Sequence, residues 1–119
     1  SRVVMLGLTF KENCPDVRNS RVADIVSELG KYGIETAIVD PWADPDAAKK
    51  VYGLTLTPMD EIRDADCVVV AVAHREFCEL GVEGLLRLFG RNDVKILIDI
   101  KGIFDINELK KSDIIWWRL

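Results

Sequence analysis

Four side chains are the candidates to meet an anion or move a proton at a site: Lys11, Arg18, His74 and Lys101. Lys11 can serve as a point cation for a phosphate, and Arg18 as a planar fork that takes two oxygens at once. Both lie in the polar stretch Thr9-Phe10-Lys11-Glu12-Asn13-Cys14-Pro15-Asp16-Val17-Arg18-Asn19-Ser20. They can equally be solvated loop cations. His74 is the single histidine and can act as acid, base or hydrogen-bond donor. Spacing pairs no carboxylate with it, which favours a structural role. Lys101, beside Gly102, is a solvated residue unless the fold turns it toward the other cations. Asp40 stands where a ribose-binding acid is often found. A turn-forming Asp ahead of Pro41 is the simpler role.

Other chemistries find less support. Cys14, Cys67 and Cys78 form no CxxC pair, and with one histidine this argues against a zinc site. Cys14 lies between Glu12 and Asp16, whose charges oppose thiolate formation, so it reads as non-catalytic. Cys67 falls in an apolar run and reads as core. A net charge of −4, from 16 basic and 20 acidic residues, disfavours nucleic acid. No stretch approaches the roughly 20 apolar residues of a membrane helix. No signal peptide is visible. Sparse, unpaired cysteines suit a reduced, cytoplasmic setting.

The elements that position these residues alternate β-branched runs with amphipathic segments, a βαβ pattern. With 119 residues, 49% of them hydrophobic, one domain over 1–119 is expected. Strands are predicted at Arg2–Leu6, Glu35–Val39, 54–56, 66–72, 95–99 and 113–117. A helix carrying Val22, Ile25, Val26 and Leu29 follows the first loop, capped by Asn19 or Ser20 and ended near Gly33. Asp44-Pro45 and Thr57-Pro58 each read as a cap followed by proline at the first helical position. Further helices are expected over Gly81–Phe89 and, for a turn or two, from Ile106. Trp116 and Trp117 would point to opposite faces of the last strand.

The fold class is α/β: a doubly wound, Rossmann-like parallel sheet of five to six strands in three layers, ordered 3-2-1-4-5 with a sixth strand at the edge. Ligands of such sheets bind beyond the carboxyl ends of the strands. Loops 7–19, 73–78 and 99–104 fall there and hold all four candidates. The first loop lacks G-x-G-x-x-G, so its backbone cannot hug a pyrophosphate as a dinucleotide fold requires.

The stretch Gly7-Leu8-Thr9-Phe10-Lys11, with Asp16-Val17-Arg18-Asn19-Ser20, resembles the G-x-x-F-K and D-x-R-x-S segments of NAD-dependent nucleotide-sugar 6-dehydrogenases, the UDP-glucose, GDP-mannose and UDP-N-acetylhexosamine enzymes. Val39-Asp40-Pro41, Ala73-His74-Arg75-Glu76-Phe77 and Ile98-Asp99-Ile100-Lys101-Gly102 follow in the same order. The resemblance covers essentially the whole chain as the C-terminal, UDP-binding domain. It implies that Phe10 and Lys11 contact the UDP-sugar, and that Arg18 reaches NAD held mainly by an N-terminal domain. Lys101 stands where many relatives have a substrate-touching arginine. Glu12-Asn13-Cys14-Pro15 resembles the UDP-N-acetylhexosamine branch, which serves surface polysaccharide synthesis. The implied reaction oxidises a sugar C6 alcohol to a carboxylate with two NAD, through a cysteine in a G-G-x-C helix. The chain has no such motif. It is therefore expected to be an inactive fragment of a longer, homo-oligomeric enzyme, joined to NAD-binding and central dimerisation domains. The abrupt Ser1-Arg2 start fits a fragment. The alternatives are a stand-alone nucleotide-binding or regulatory module and a conventional NAD domain.

Overall fold

A computed structural model of the chain describes residues 2–9 and 11–118. Strands β1 (Arg2–Leu6), β2 (Glu35–Val39), β3 (Cys67–Val70), β4 (Ile96–Asp99) and β5 (Ile115–Arg118) alternate with helices α1 (Arg21–Lys31), α2 (Pro45–Tyr52), α3 (Arg75–Cys78), α4 (Gly81–Phe89) and α5 (Ile106–Lys111). All pairings are parallel, in the order β2-β1-β3-β4-β5.

Strand alternation divides the apolar side chains between two faces. Val4, Leu6, Val68, Val70 and Leu97 meet Phe77, Leu85, Phe89 and Leu109, from α3, α4 and α5. Met5 and Ile38 meet Val22 and Ala23 of α1 and Ala48 of α2. Side chains such as Phe77, Leu85 and Phe89 have no exposed surface. Burying one of this size contributes roughly 1.5–3 kcal/mol. The three expected layers are present.

The second face is covered only in part. The register aligns Val3 with Cys67, Ile96 and Ile115, and Met5 with Val69, Ile98 and Trp117. Along those rows Cys67, Ile96 and Ile98 are half-buried, and Ile115 and Trp117 are 49% and 54% exposed. Cys67 is therefore not a core residue, as its apolar run suggested. Trp116, on the opposite face, packs against the core.

The predicted strand over 54–56 does not form. Leu54 and Leu56 pack against the Met5 cluster, so burial of their side chains, rather than a ladder, holds the segment. Its backbone link to β2 among the described residues is Thr57 N–H to the Ile38 carbonyl, 2.7 Å. The sheet has five strands, with the final predicted one at its edge as β5.

Helix ends follow the local sequence unevenly. Asp44 accepts from the N–H groups of Asp46 and Ala47, and Asp105 from those of Asn107 and Glu108, as capping carboxylates do. Ser20 occupies the cap of α1, but its hydroxyl makes no capping bond. It is buried without a partner among the described residues, while its N–H donates to the Tyr52 hydroxyl. Gly33 has φ +73°, as expected just past α1. Ile25 of the predicted stripe stays 42% exposed. The stretch after Thr57-Pro58 makes a single tight turn, Met59–Glu61.

Candidate functional site

The carboxyl ends of β1, β2 and β3 are bound into one unit by buried polar groups. Gly7 has φ +111°, and a Cβ there would lie 2.6 Å from the Val72 Cβ. Only glycine lets the end of β1 pass so near the end of β3 in that conformation. Beyond Gly7, the N–H groups of Leu8 and Thr9 donate to Oδ2 of Asp40, at 2.7 and 3.0 Å. The other oxygen, Oδ1, accepts from Trp42 and Ala43 N–H, at 2.8 and 2.9 Å. Asp40 therefore forms the expected turn and also anchors the neighbouring loop.

His74 completes this unit. Its side chain is fully buried, with Nε2 3.0 Å from Asp40 Oδ2 and 3.0 Å from Thr9 Oγ1. Nδ1 accepts from the N–H of Asn13 at 2.8 Å. The acceptor role leaves Nδ1 unprotonated, so the ring proton is assigned to Nε2. Burial pushes the Asp40 carboxyl up, but bonds from His74, Leu8 and Thr9 outweigh it and lower its pKa to about 2. The imidazole stacks under Trp42 at 6.3 Å, and Phe77 lies 5.5 Å away. The partner that spacing could not supply is thus Asp40, brought in because β1 lies between β2 and β3. With both its oxygens engaged internally, Asp40 is not available to a ribose.

Loop 7–19 carries its cations outward from this base. Lys11 is exposed and makes no ion pair among the described residues. Its carbonyl accepts from Thr9 Oγ1 at 3.1 Å. Asn13 adopts φ +54° and is held at both ends, by His74 at its N–H and by Arg75 N–H at its Oδ1, 2.9 Å. Arg18 is exposed and forks onto Asp16, with Nε to Oδ1 at 3.0 Å and an Nη to Oδ2 at 3.1 Å. These bonds hold the Asp16 carboxyl below its usual range and the Arg18 guanidinium above. An exposed pair of this kind is weak. The fork has the geometry for a two-oxygen anion and releases Asp16 at little cost. Phe10 lies outside the described residues.

A second buried aspartate shapes the Lys101 loop. Asp99 ends β4 with no exposed surface and accepts from Gly102, Ile103 and Phe104 N–H, at 2.8, 3.2 and 3.1 Å. Arg118 Nε lies 3.8 Å from it, and the guanidinium also donates to the Phe104 carbonyl. Lys101 projects as an exposed residue at the same sheet edge, two strands from β1. No hydrogen bond or ion pair among the described residues joins it to Lys11 or Arg18. Topology alone relates the three cations. Asp99 stood in the sequence only as part of the Ile98–Gly102 segment of the resemblance, with nothing local to announce the loop it holds.

A cleft of about 790 Å³ is lined by Asp40 itself together with Pro41, Leu54, Leu56, Met59 and Lys49 among others. It contains none of Lys11, Arg18 or Lys101; the cation in its lining is Lys49. Cys67 is no nucleophile: burial and the neighbouring Asp66 charge both push its thiol up. Among the described residues, no three His, Cys, Asp or Glu side chains cluster as metal ligands, and no helix is long and apolar enough to cross a membrane.

Comparison with known proteins identifies the chain's family. Residues 4–106 match the UDP-binding domain of the UDP-glucose/GDP-mannose dehydrogenase family. The UDP-N-acetyl-D-glucosamine 6-dehydrogenase of Salmonella typhi is 45% identical over 105 residues, 87% of this chain and 24% of that protein. The Pseudomonas aeruginosa protein of the same name is 41% identical over 96% of this chain and 26% of its own length. Protein CapL of Staphylococcus aureus is 42% identical over 96% of this chain and 26% of its own. The chain thus spans about a quarter of the length of these relatives. The crystal structure of an NDP-N-acetyl-D-galactosaminuronic acid dehydrogenase from Methanosarcina mazei shares the fold at TM-score 0.84 and 20% identity, over 99% of this chain and 24% of that one. The Staphylococcus aureus UDP-N-acetyl-mannosamine dehydrogenase Cap5O does so at 0.71 and 22%, over 99% and 26%. The chain belongs to the UDP-glucose/GDP-mannose dehydrogenase family, as its UDP-binding domain.

Proposed function

We propose that these 119 residues are the C-terminal, substrate-binding domain of a longer NAD-dependent dehydrogenase that oxidises the C6 alcohol of a UDP-N-acetylhexosamine to a carboxylate for surface polysaccharide synthesis. Lys11 and Lys101 offset the diphosphate charge, and Phe10 packs on the UDP-sugar. Arg18 exchanges Asp16 for a phosphate oxygen of NAD. The observation that carries this reading is the match of residues 4–106 to a UDP-binding domain, joined to 41–45% identity with two relatives named for UDP-N-acetyl-D-glucosamine oxidation.

Oxidation of CH2OH to carboxylate removes two hydride equivalents, which two NAD accept. Toward NAD this chain offers the Arg18 fork. The glycine-rich loop is missing from its sequence, and Asp40 is saturated by its own surroundings. These residues suit a contact with NAD that is held mainly by another domain. Lys11, as a strongly hydrated point charge, suits a diphosphate whose position is set by other contacts.

Calorimetric titration of this chain with UDP and with NAD tests the reading. UDP is expected to bind, and NAD to bind more weakly or undetectably. Preferential NAD binding would favour the conventional NAD-domain alternative. Lys11→Ala is expected to weaken UDP binding about tenfold, the scale of one lost charge-assisted contact. An unchanged affinity removes Lys11 from the site.

A further inference from the structure

We propose that His74 is a positioning residue for the UDP diphosphate, acting through the backbone on either side of Lys11. The proposal rests on the reading of Lys11 as a diphosphate cation. His74 itself has no exposed surface and cannot touch a ligand. It holds the loop at two points. Nδ1 takes the Asn13 N–H at 2.8 Å, two residues after Lys11. Nε2 lies 3.0 Å from Thr9 Oγ1, two residues before it, and that hydroxyl donates to the Lys11 carbonyl at 3.1 Å. Asp40 sits behind the ring at 3.0 Å, and its charge favours the tautomer that leaves Nδ1 free to accept. Asn13 is kept in a left-handed conformation between His74 and Arg75. A flexible lysine then starts from a fixed backbone, and less ordering is left for the moment of binding.

The charged groups around this unit come from each element that meets it. Asp40 follows β2, Lys11 and Glu12 lie in the β1 loop, and Arg75 and Glu76 open α3. Glu76 accepts from the Trp42 indole N–H at 2.7 Å, which holds Trp42 over the imidazole. The half-buried Trp42 and the buried His74 and Phe77 stack where the end of β3 meets the end of β1, the region that an open doubly wound sheet leaves to its ligand. Lys11, exposed on the outer surface of the loop, is the cation that this fixed backbone presents to an anion.

Two amide substitutions separate the halves of the imidazole. The amide of His74→Asn reaches the place of Nδ1, so its oxygen can still accept from Asn13. The amide of His74→Gln reaches the place of Nε2, so it can still donate to Asp40 but leaves the Asn13 N–H without a partner. Both shrink or reshape the core, so a merely structural role would lower stability in each without separating their affinities. Positioning through the loop predicts that His74→Asn keeps UDP affinity within a few-fold, while His74→Gln binds about tenfold more weakly. Thr9→Val, a similar volume without the hydroxyl, is expected to weaken UDP as well, and serves if either histidine variant fails to fold.

Amide hydrogen exchange, read by NMR on the chain without ligand, gives an independent measure. The Asn13 amide, whose N–H is held by Nδ1, should stay protected in His74→Asn and lose protection in His74→Gln. Equal UDP affinities in the two histidine variants, the reverse order, or a Thr9→Val protein that binds UDP unchanged would each overturn the proposal. If the unmutated chain fails to bind UDP, the functional reading fails and takes the ligand with it. The exchange pattern would still decide whether His74 orders the loop.

Discussion

Nε2 of His74 lies 3.0 Å from Oδ2 of Asp40, so a residue after β3 is joined to the residue that follows β2 across the end of the strand between them. The same Asp40 oxygen takes the N–H groups of Leu8 and Thr9 in the β1 loop. Three strand ends thus share one carboxylate, and its ionisation has consequences for the whole carboxyl edge.

The pH dependence follows from that carboxylate. The folded pKa of Asp40 is lowered from 3.8 to about 2. A depressed carboxyl stabilises the fold above its unfolded pKa, and the contribution is lost as pH falls through the folded value. The difference corresponds to about 2 kcal/mol. Urea unfolding from pH 7 down to pH 2 should show this loss between about pH 4 and pH 2. Asp40→Asn should be destabilised at pH 7, and the gap to the unmutated chain should narrow toward pH 2. A gap that does not change with pH would contradict the assignment.

Gly7→Ala should be severe. The new methyl would meet Val72 at 2.6 Å, in a backbone conformation with φ +111° that side chains rarely adopt. Strain and overpacking together predict a loss of about 3 kcal/mol or more. Thermal unfolding would read this directly. A near-neutral result would mean that the ends of β1 and β3 can separate.

Asp99→Ala removes the acceptor for three N–H groups and leaves Arg118 facing an empty site. Buried donors without partners predict a loss of about 3–5 kcal/mol. Amide exchange should show the 100–104 loop opening first. UDP binding should fall with it if Lys101 shares the diphosphate. Retained affinity with an opened loop would argue that Lys101 lies outside the site.

Asp16→Ala should behave differently. Its pair with Arg18 and the bond from the Arg18 backbone N–H to its Oδ1 at 2.9 Å are both exposed, so the urea midpoint should not move measurably. Freed of its partner, Arg18 should gain affinity for an anion that competes with Asp16. In a full-length protein this would appear as tighter NAD binding with stability unchanged. A lower urea midpoint would show that the pair fixes the loop rather than waiting in it.

Much of this architecture was legible in the sequence because β-branched runs and capping residues act locally. The run at 66–72 could only be a strand, and Asp44-Pro45 could hardly begin anything but a helix. The segment 54–56 misled because apolar residues bury equally well in an extended strap. Whether such a strap pairs is decided by its neighbour, not by itself. The role of Asp40 was half visible: Pro41 announced a turn, but nothing local announced Leu8, Thr9 or His74. Those contacts span more than thirty positions and exist only once β1 lies between β2 and β3. Lys11 and Arg18 were visible as charges, and their surroundings were not. The bidentate hold of Asp16 on Arg18 is the one pairing that their spacing of two suggests in hindsight.

The half-covered sheet face bears on how any measured stability should be understood. Ile115 and Trp117 keep about half of their surface in water, beside the half-buried Ile96 and Ile98. Anything that binds there in the folded state and not in the unfolded one adds to the unfolding free energy by mass action. The chain's melting temperature is therefore a property of its company as well as of its sequence. Measured alone, it is a lower bound that rises with the concentration of whatever shields that strip. The indole of Trp117 lies within the strip, and the shift of its fluorescence to the blue would report the shielding.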